Sequence, residues 1–582
     1  MIIREDIIWS TLQFSPSEQS VKNEIVSKVD SALAVKIPGA EFSPAYKRGF
    51  FDGLKHFYDK KTDSFPTGLI KKVERAFSDT PIGVDYKIND VRPDKFVDPN
   101  TLPDKLTLNV GTKKGSFVLR DYQVKAVKAL FEHGTGVINY SVASGKTAIG
   151  ASIIKQAIDK LEPDEHIAFF TNSRLIFTQS VKNLKSFLGC KIGQIAGSKR
   201  DIQKVTVCMI PTVYSALSID PEARLALTPR EGIYKKIAKT YYPRFKQSQQ
   251  AKQDLGGFLL LFTPKYKTDL ALQEFLQKIY DTSDNDDTVI AKLYHYAKAY
   301  DKVVQTKHSE EYKKNKAIHD FLDSVVLFVA DECHHSKSDT WVSVLMACRN
   351  AIYRAGLSGS VDIRDEVVTQ SLDAIYGGII AKVKAKEMID RGVTSKPVIT
   401  MLPINEPKSI LSHDWQDIYK KGIVYNNYRN NVIALLAKEW FKKDTTVLII
   451  VQWLDQYKEI SKYLEALNVP YAIIDGTQED AQRKQELEDV ASGKTKVLIA
   501  TSVLDEGVDI SNIDVLILAS GGKSLRQIVQ RIGRTLRKDK NSKTDRAYIF
   551  DFIDNQNRIL KKHSNERLAI YREEQFEVLG IK

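Results

Sequence analysis

The sequence predicts an α/β protein built from two tandem parallel-sheet domains. Three observations carry this. Short, nearly continuous apolar runs alternate with longer segments of helical spacing, which is the pattern of strands buried on both faces. The pattern occurs twice: first in Val137–Tyr140, Ile167–Thr171, Val205–Ile210, Val325–Ala330 and Ile352–Leu357, then in Val447–Val451, Tyr471–Ile474, Lys496–Thr501, Val515–Ala519 and Ala547–Phe550. Third, the residues best suited to chemistry follow the ends of these runs, where open parallel sheets bind ligands.

In chain order, a small α+β module is expected over residues 1–90 and a polar, proline-containing linker over 91–114. The first α/β domain is expected over 115–365. Inside it, 220–320 breaks the rhythm and reads as a helical insertion, with nine tyrosines, 18 basic and 14 acidic residues. A mostly helical linker region is expected over 366–440, the second α/β domain over 441–560 and a tail over 561–582.

Composition narrows the function classes. The 582 residues are 43% hydrophobic and 27% charged, a globular mixture that excludes a mainly disordered or fibrous chain. No apolar run approaches the roughly 18 residues of a membrane span, and the first residues carry acids where a signal peptide would be basic. A soluble, cytoplasmic protein is expected. Four cysteines without a C-x-x-C pair argue against a disulfide framework or a zinc ribbon. The net charge of +13 suits a polyanionic partner, and residues 520–582 alone carry 15 basic against 8 acidic residues.

Three motifs carry chemistry. The first expected strand runs into Ser141-Val142-Ala143-Ser144-Gly145-Lys146-Thr147 and then a helix. A tight turn feeding a helix N-terminus offers backbone N–H groups to phosphate oxygens. Lys146 would neutralise the β- and γ-phosphates, and Thr147 would offer a hydroxyl to Mg²⁺. Tyr140 stands where the full phosphate-loop pattern has glycine. Next, Val325–Ala330 ends in Asp331-Glu332-Cys333-His334-His335. Asp331 can hold Mg²⁺ through water, and Glu332 can accept a proton from an attacking water. The three consecutive residues Cys333, His334 and His335 cannot easily converge on one tetrahedral ion. Finally, Gln527, Gln530, Arg534 and Arg537 share one helix face. Two fixed-charge guanidiniums aimed one way suit a transferring phosphoryl group. Two weaker pieces join them. Gln123, in Leu119–Gln123, could read an adenine edge, and Ser358 and Ser360 follow the last strand of the first domain, where hydroxyls could relay between domains.

Taken in order, Leu119–Gln123, Ala143–Thr147, Asp331–His335, Ser358–Ser360, Ala500–Asp509 and Gln530–Arg537 resemble the motifs of the superfamily 2 helicases and translocases. The resemblance implies two RecA-like domains with ATP and Mg²⁺ in the cleft between them. It implies a nucleotide site of Gln123, Ser144, Gly145, Lys146, Thr147, Asp331 and Glu332, with Gly507 and Asp509 sensing nucleotide. Arg534 and Arg537 would act as arginine fingers, and Ser358, Ser360 and Gln530 as coupling residues. A nucleic-acid strand would be gripped by Thr171, Arg174, Thr212, Gln452 and Thr501. Ser141-Val142-Ala143 and Asn172-Ser173 depart from the usual family residues. The N-terminal Phe42-Ser-Pro44-Ala-Tyr46-Lys47-Arg48-Gly49-Phe50-Phe51-Asp52-Gly53, followed by Phe65–Ile70, is similar to the leading domain of UvsW-type recombination helicases of bacteriophages. That likeness implies a DNA-binding module, branched DNA substrates, single-strand-binding or recombination proteins as partners, and a monomer. Two other readings stay open: another superfamily 2 motor (a restriction-system translocase or an RNA helicase), or a non-catalytic DNA-annealing scaffold.

Overall fold

The apolar runs do become strands, and their burial explains why. Every residue of Val325–Ala330 is buried, as is every residue of Tyr353–Ser358, so both faces of these strands are covered. The computed structural model describes residues 1–78, 85–110, 115–141, 144–217, 315–359, 361, 363, 365–476, 478, 480–501, 513–521 and 546–580. The chain divides into two compact units, one made of Met1–Tyr214 with Leu322–Lys582, the other of Ser215–Phe321. The insertion expected over 220–320 falls in the second unit, of which residues 218–314 lie outside the described set.

Within the first unit lie two large sheets. The first has eight strands in the order Lys199–Asp201, Ile192–Ala196, Val205–Met209, His166–Thr171, Val325–Asp331, Tyr353–Ser358, Thr135–Tyr140, Ile379–Val383. All neighbours are parallel except the short Lys199–Asp201 edge strand. The second has seven strands, all parallel, in the order Ala472–Ile474, Val497–Ala500, Val447–Ile450, Val515–Leu518, Arg546–Asp554, Lys396–Ile404, Glu577–Leu579. Apolar clusters coat each sheet: Ile138, Ile149, Phe169 and Leu327 are fully buried on the first, and Ile449, Ile499, Ile517 and Phe552 on the second.

Two expectations need correction. The 366–440 stretch is helical over Glu366–Tyr376, Ala385–Asp390, Trp415–Tyr419, Lys420–Val424 and Asn427–Lys442, but it also supplies two strands. Ile379–Val383 joins the first sheet, and Lys396–Ile404 pairs with Arg546–Asp554 over its whole length. Pro397 and Pro403 hid the second of these, because proline argues against a central strand. Residues 561–582 are not a tail either. Arg558–Glu573 is a helix whose Ile570 and Tyr571 are buried against the second sheet, and Glu577–Leu579 is that sheet's edge strand.

The N-terminal module is α+β. Ser64–Pro66, Trp9–Gln13, Ile2–Glu5 and Lys87–Asp90 form one sheet, and the helices Gln19–Leu33 and Ile70–Ser78 close a core around Ile3, Val29, Phe65 and Val73. It docks on the helix Glu366–Tyr376. Gly68 makes this fit possible, since a Cβ there would lie 2.0 Å from Asp373 O. Lys72 pairs with Asp373 at 3.0 Å, and Gln370 Nε2 donates to Leu33 O at 3.2 Å. Among the described residues no helix is long and apolar enough to cross a membrane.

Candidate functional site

Sheet order decides where the chemistry collects. The strands Thr135–Tyr140 and Val325–Asp331 run parallel with only Tyr353–Ser358 between them. Adjacent strands are about 4.8 Å apart, so their carboxyl ends lie about 10 Å apart on one edge. The phosphate-loop residues and the Asp331–Glu332 pair therefore meet there, with Ser358 between them.

The loop is built from its turn outward. Gly145 sits at φ +82°, a left-handed conformation that glycine adopts without strain, and it caps the helix Lys146–Ile158. A side chain at Gly145 would also meet Gln123 Nε2 at 2.4 Å. Gln123 is fully buried; it donates to Ser144 O at 2.8 Å and accepts from Arg120 N at 2.8 Å. Tyr122 OH donates to the same Ser144 carbonyl at 3.1 Å. Gln123 thus reaches the loop backbone itself.

Tyr140, the departure from the loop pattern, has a structural role. Its hydroxyl donates to Tyr122 O at 2.7 Å, tying the strand to the Asp121–His133 helix. Burial pushes its phenol up to about 12, so it remains a donor at neutral pH. Its carbonyl accepts from Lys146 Nζ at 3.3 Å.

The acidic pair is strained and unevenly charged. Glu332 sits at φ +53°, in the left-handed region, where a side chain costs energy and functional residues gather. Burial raises the Asp331 pKa, the neighbouring Glu332 charge raises it further, and Lys146 pulls it back in part. Burial acts on Glu332 in the same direction, but a hydrogen bond and positive charge from His334, with Lys146 and His335, outweigh it and hold that carboxyl low. His334 Nδ1 lies 3.3 Å from Glu332 Oε2 and 2.9 Å from Ser358 Oγ. The one nitrogen His334 Nδ1 thus stands between Ser358 Oγ and the Glu332 carboxylate. Gly356 makes room for it, since a Cβ there would press on Cys333 Sγ at 3.0 Å.

The other expected residues separate into three groups. Thr171 and Thr501 are buried at strand ends; Thr171 Oγ1 donates to Ser173 O at 3.4 Å, and Thr501 N donates to Ile474 O at 3.1 Å. Arg174 and Gln452 are exposed, and Thr212 Oγ1 accepts from Gly197 N at 3.0 Å. Ser360, Gly507, Asp509, Gln530, Arg534 and Arg537 lie outside the described residues.

Two constellations escaped the sequence reading. Arg391 pairs with Asp121 at 2.6 Å and stacks over the Tyr122 ring at 5.3 Å, linking the 366–440 region to the phosphate loop. In the second sheet, three successive carbonyls are held by buried side chains. Ala519 O accepts from Arg429 at 2.7 Å and from Gln456 at 2.8 Å, Ser520 O from Tyr419 OH at 2.6 Å, and Gly521 O from Arg567 at 3.1 Å. Arg429 pairs with Asp554 at 3.0 Å and Arg567 with Asp551 at 2.8 Å. These residues are far apart in sequence, and the spacing of any one of them carries no signal.

Comparison with known families fits this geometry. The family "Type III restriction enzyme, res subunit" matches residues 116–362, and "Helicase conserved C-terminal domain" matches 428–539. The chain carries superfamily 2 helicase domains. Its two parallel sheets are the two RecA-like domains of that superfamily. The ATP-dependent DNA helicase uvsW of Enterobacteria phage T4 is 24% identical over 270 residues, which is 43% of this chain and 53% of that protein. This match supports the UvsW-type likeness. The ATP-dependent RNA helicase vasa of Drosophila melanogaster is 35% identical over 133 residues, 22% of this chain and 20% of that protein. The chain spans about half the length of the first curated relatives it matches. The crystal structure of T4 UvsW aligns over 100% of this chain and 99% of that one, at 16% identity and a TM-score of 0.40.

The residues present fit a nucleoside triphosphate with a divalent metal. Ser141 Oγ and Ser144 Oγ are buried without hydrogen-bond partners among the described residues, and a helix N-terminus follows them.

Proposed function

We propose that this protein is an ATP-driven DNA helicase or translocase acting on branched DNA: regressing forks, migrating Holliday junctions and unwinding D-loops or R-loops in recombination and repair. The observation that carries the proposal is the placing of Lys146, Asp331 and Glu332 on one sheet edge of a domain whose family is that of helicase motors. The UvsW likeness favours branched DNA over RNA.

In this reading Lys146 and the Lys146–Ile158 helix N-terminus bind the phosphates. Thr147 and Asp331 hold Mg²⁺, which when bound neutralises developing phosphate charge. Glu332, ionised at neutral pH, takes the proton of the attacking water, and His334 keeps it ionised and oriented. Ser358 fixes the His334 ring through Nδ1. Arg534 and Arg537, with Gln530, complete the site from the second domain; Gly507 and Asp509 report its state. Gln123 shapes the loop; buried, with its amide held by Arg120 N and Ser144 O, it does not read the base in this arrangement. Arg174, Thr212 and Gln452 face one strand; Thr171 and Thr501, buried at their strand ends, do not reach it and shape that edge from within. The domain boundaries expected from the sequence, 1–90, 115–365 and 441–560 in particular, are carried forward with this proposal, subject to the two corrections above.

The test is the steady-state ATPase rate with a four-way junction, a fork, linear duplex and RNA of equal length, together with strand displacement on the first two. Branched DNA stimulates most and is unwound if the reading holds. Equal stimulation by RNA, or translocation on linear duplex without unwinding, would favour the RNA-helicase or restriction-motor alternative. A rate indifferent to every nucleic acid refutes the motor.

A further inference from the structure

One surface turn is built to display aromatic rings. Phe42 is 75% exposed, Phe50 83% and Tyr46 42%. A Phe side chain left in water forgoes the gain of burial, so rings held outward side by side ask for a partner. The turn is held in shape. Ser43 Oγ accepts from Tyr46 N at 3.2 Å, Arg48 N donates to Pro44 O at 3.1 Å, and Phe50 N donates to Ala45 O at 3.0 Å. Gly39, Gly49 and Gly53 sit at φ +79°, +74° and +82°, where other residues are strained. The turn leads into the strand Leu54–Lys55, whose Lys55 donates to Lys337 O at 2.9 Å and pairs with Asp339 at 3.0 Å. It is therefore joined to the chain just beyond the Asp331–His335 motif.

Charge selects the occupant. Lys47 and Arg48 project from the same turn and have no ion-pair partner among the described residues. Rings for stacking beside free cations for phosphates are the chemistry of a surface that binds unpaired bases. A second copy of the chain fits less well, because a two-fold contact centred here would set Lys47 and Arg48 against their own equivalents. We propose that Phe42, Tyr46 and Phe50 form a stacking platform for the unpaired bases of DNA, with Lys47 and Arg48 on the flanking phosphates. The proposal rests on the DNA-motor reading above and adds a strand contact outside both RecA-like domains.

The test measures the affinity of the full chain by anisotropy, at one salt concentration, for a labelled fork with single-stranded arms and for a blunt duplex of equal length. The double variant Phe42→Ala/Phe50→Ala loses about tenfold or more on the fork and less than about twofold on the duplex. Phe42→Trp/Phe50→Trp keeps wild-type affinity, and ATP hydrolysis without DNA is unchanged in both. Lys47→Ala/Arg48→Ala weakens binding to both DNAs and flattens the salt dependence. Unchanged fork affinity in the alanine variant, or an equal loss on the duplex, overturns the platform. A wild-type dimer that the alanine variant converts to monomer also overturns it, assigning the rings to self-association. A wild-type ATPase rate unmoved by any DNA refutes the motor reading instead, which separates the two failures.

Discussion

His56 shows how single residues tune this chain. Its two ring nitrogens each lie 2.7 Å from a carboxylate, Asp52 on one side and Asp30 on the other. The Asp52 hydrogen bond, and then that of Asp30, raise the imidazole pKa above its usual value. Asp52 is lowered in return, chiefly by His56. The signs follow. A raised histidine stabilises the fold fully below about pH 6.5, and the contribution is lost as pH climbs through the folded-state pKa. A lowered aspartate stabilises above about pH 4, and its contribution is lost in acid. Thermal melts of wild type and His56→Asn should therefore differ more at pH 6 than at pH 8. An equal difference at both pH values would contradict the bridge. None of this was legible in the sequence, because His56 and Asp30 meet only when the helix Gln19–Leu33 packs beside the loop. Tyr140 teaches the same lesson from the other side. Read alone, it is a defect in a glycine pattern; in place, its hydroxyl anchors the helix that shapes the loop.

The elements were more legible than their ends. Buried parallel strands are written as uninterrupted apolar runs, so the first sheet's inner strands and the Lys146–Ile158 helix could be read directly. The strand Lys396–Ile404 could not, because two prolines interrupt it and its pairing with Arg546–Asp554 is purely tertiary. The helix Arg558–Glu573 concealed more. Its Arg567 is almost fully buried and joins Asp551, Gly521 O and Phe552 O, the last at 2.7 Å. Removing one partner of a buried ion pair strands the other, at a cost of about 3–5 kcal/mol. Arg567→Ala should lower stability by that amount in a denaturant melt of the full chain. A loss below about 1 kcal/mol would show that Asp551 finds another partner or a proton. The cradle around Ala519–Gly521 precedes Gln530, Arg534 and Arg537 in the sequence.

At the scale of the whole molecule, the chain is two RecA-like domains with attachments. The N-terminal module is seated on the first RecA-like domain through Gly68, Lys72 and Lys55, close to the segment that follows Glu332. The 366–440 region contributes a strand to each sheet and sends Arg391 to Asp121 and Tyr122, on the helix that buttresses the phosphate loop. The Lys146 and Asp331–Glu332 motifs were legible in the sequence because each directly follows an apolar run that becomes a strand. The docking surfaces were not, since close backbone approaches such as Gly68 leave no periodic trace. One measurement reaches the centre of the account. Glu332→Gln removes the proton acceptor while preserving shape, so the variant should still bind ATP but hydrolyse it at least about 100-fold more slowly in the presence of DNA. A DNA-stimulated rate within about twofold of wild type would contradict the assignment of Glu332, and with it the site on which the motor depends.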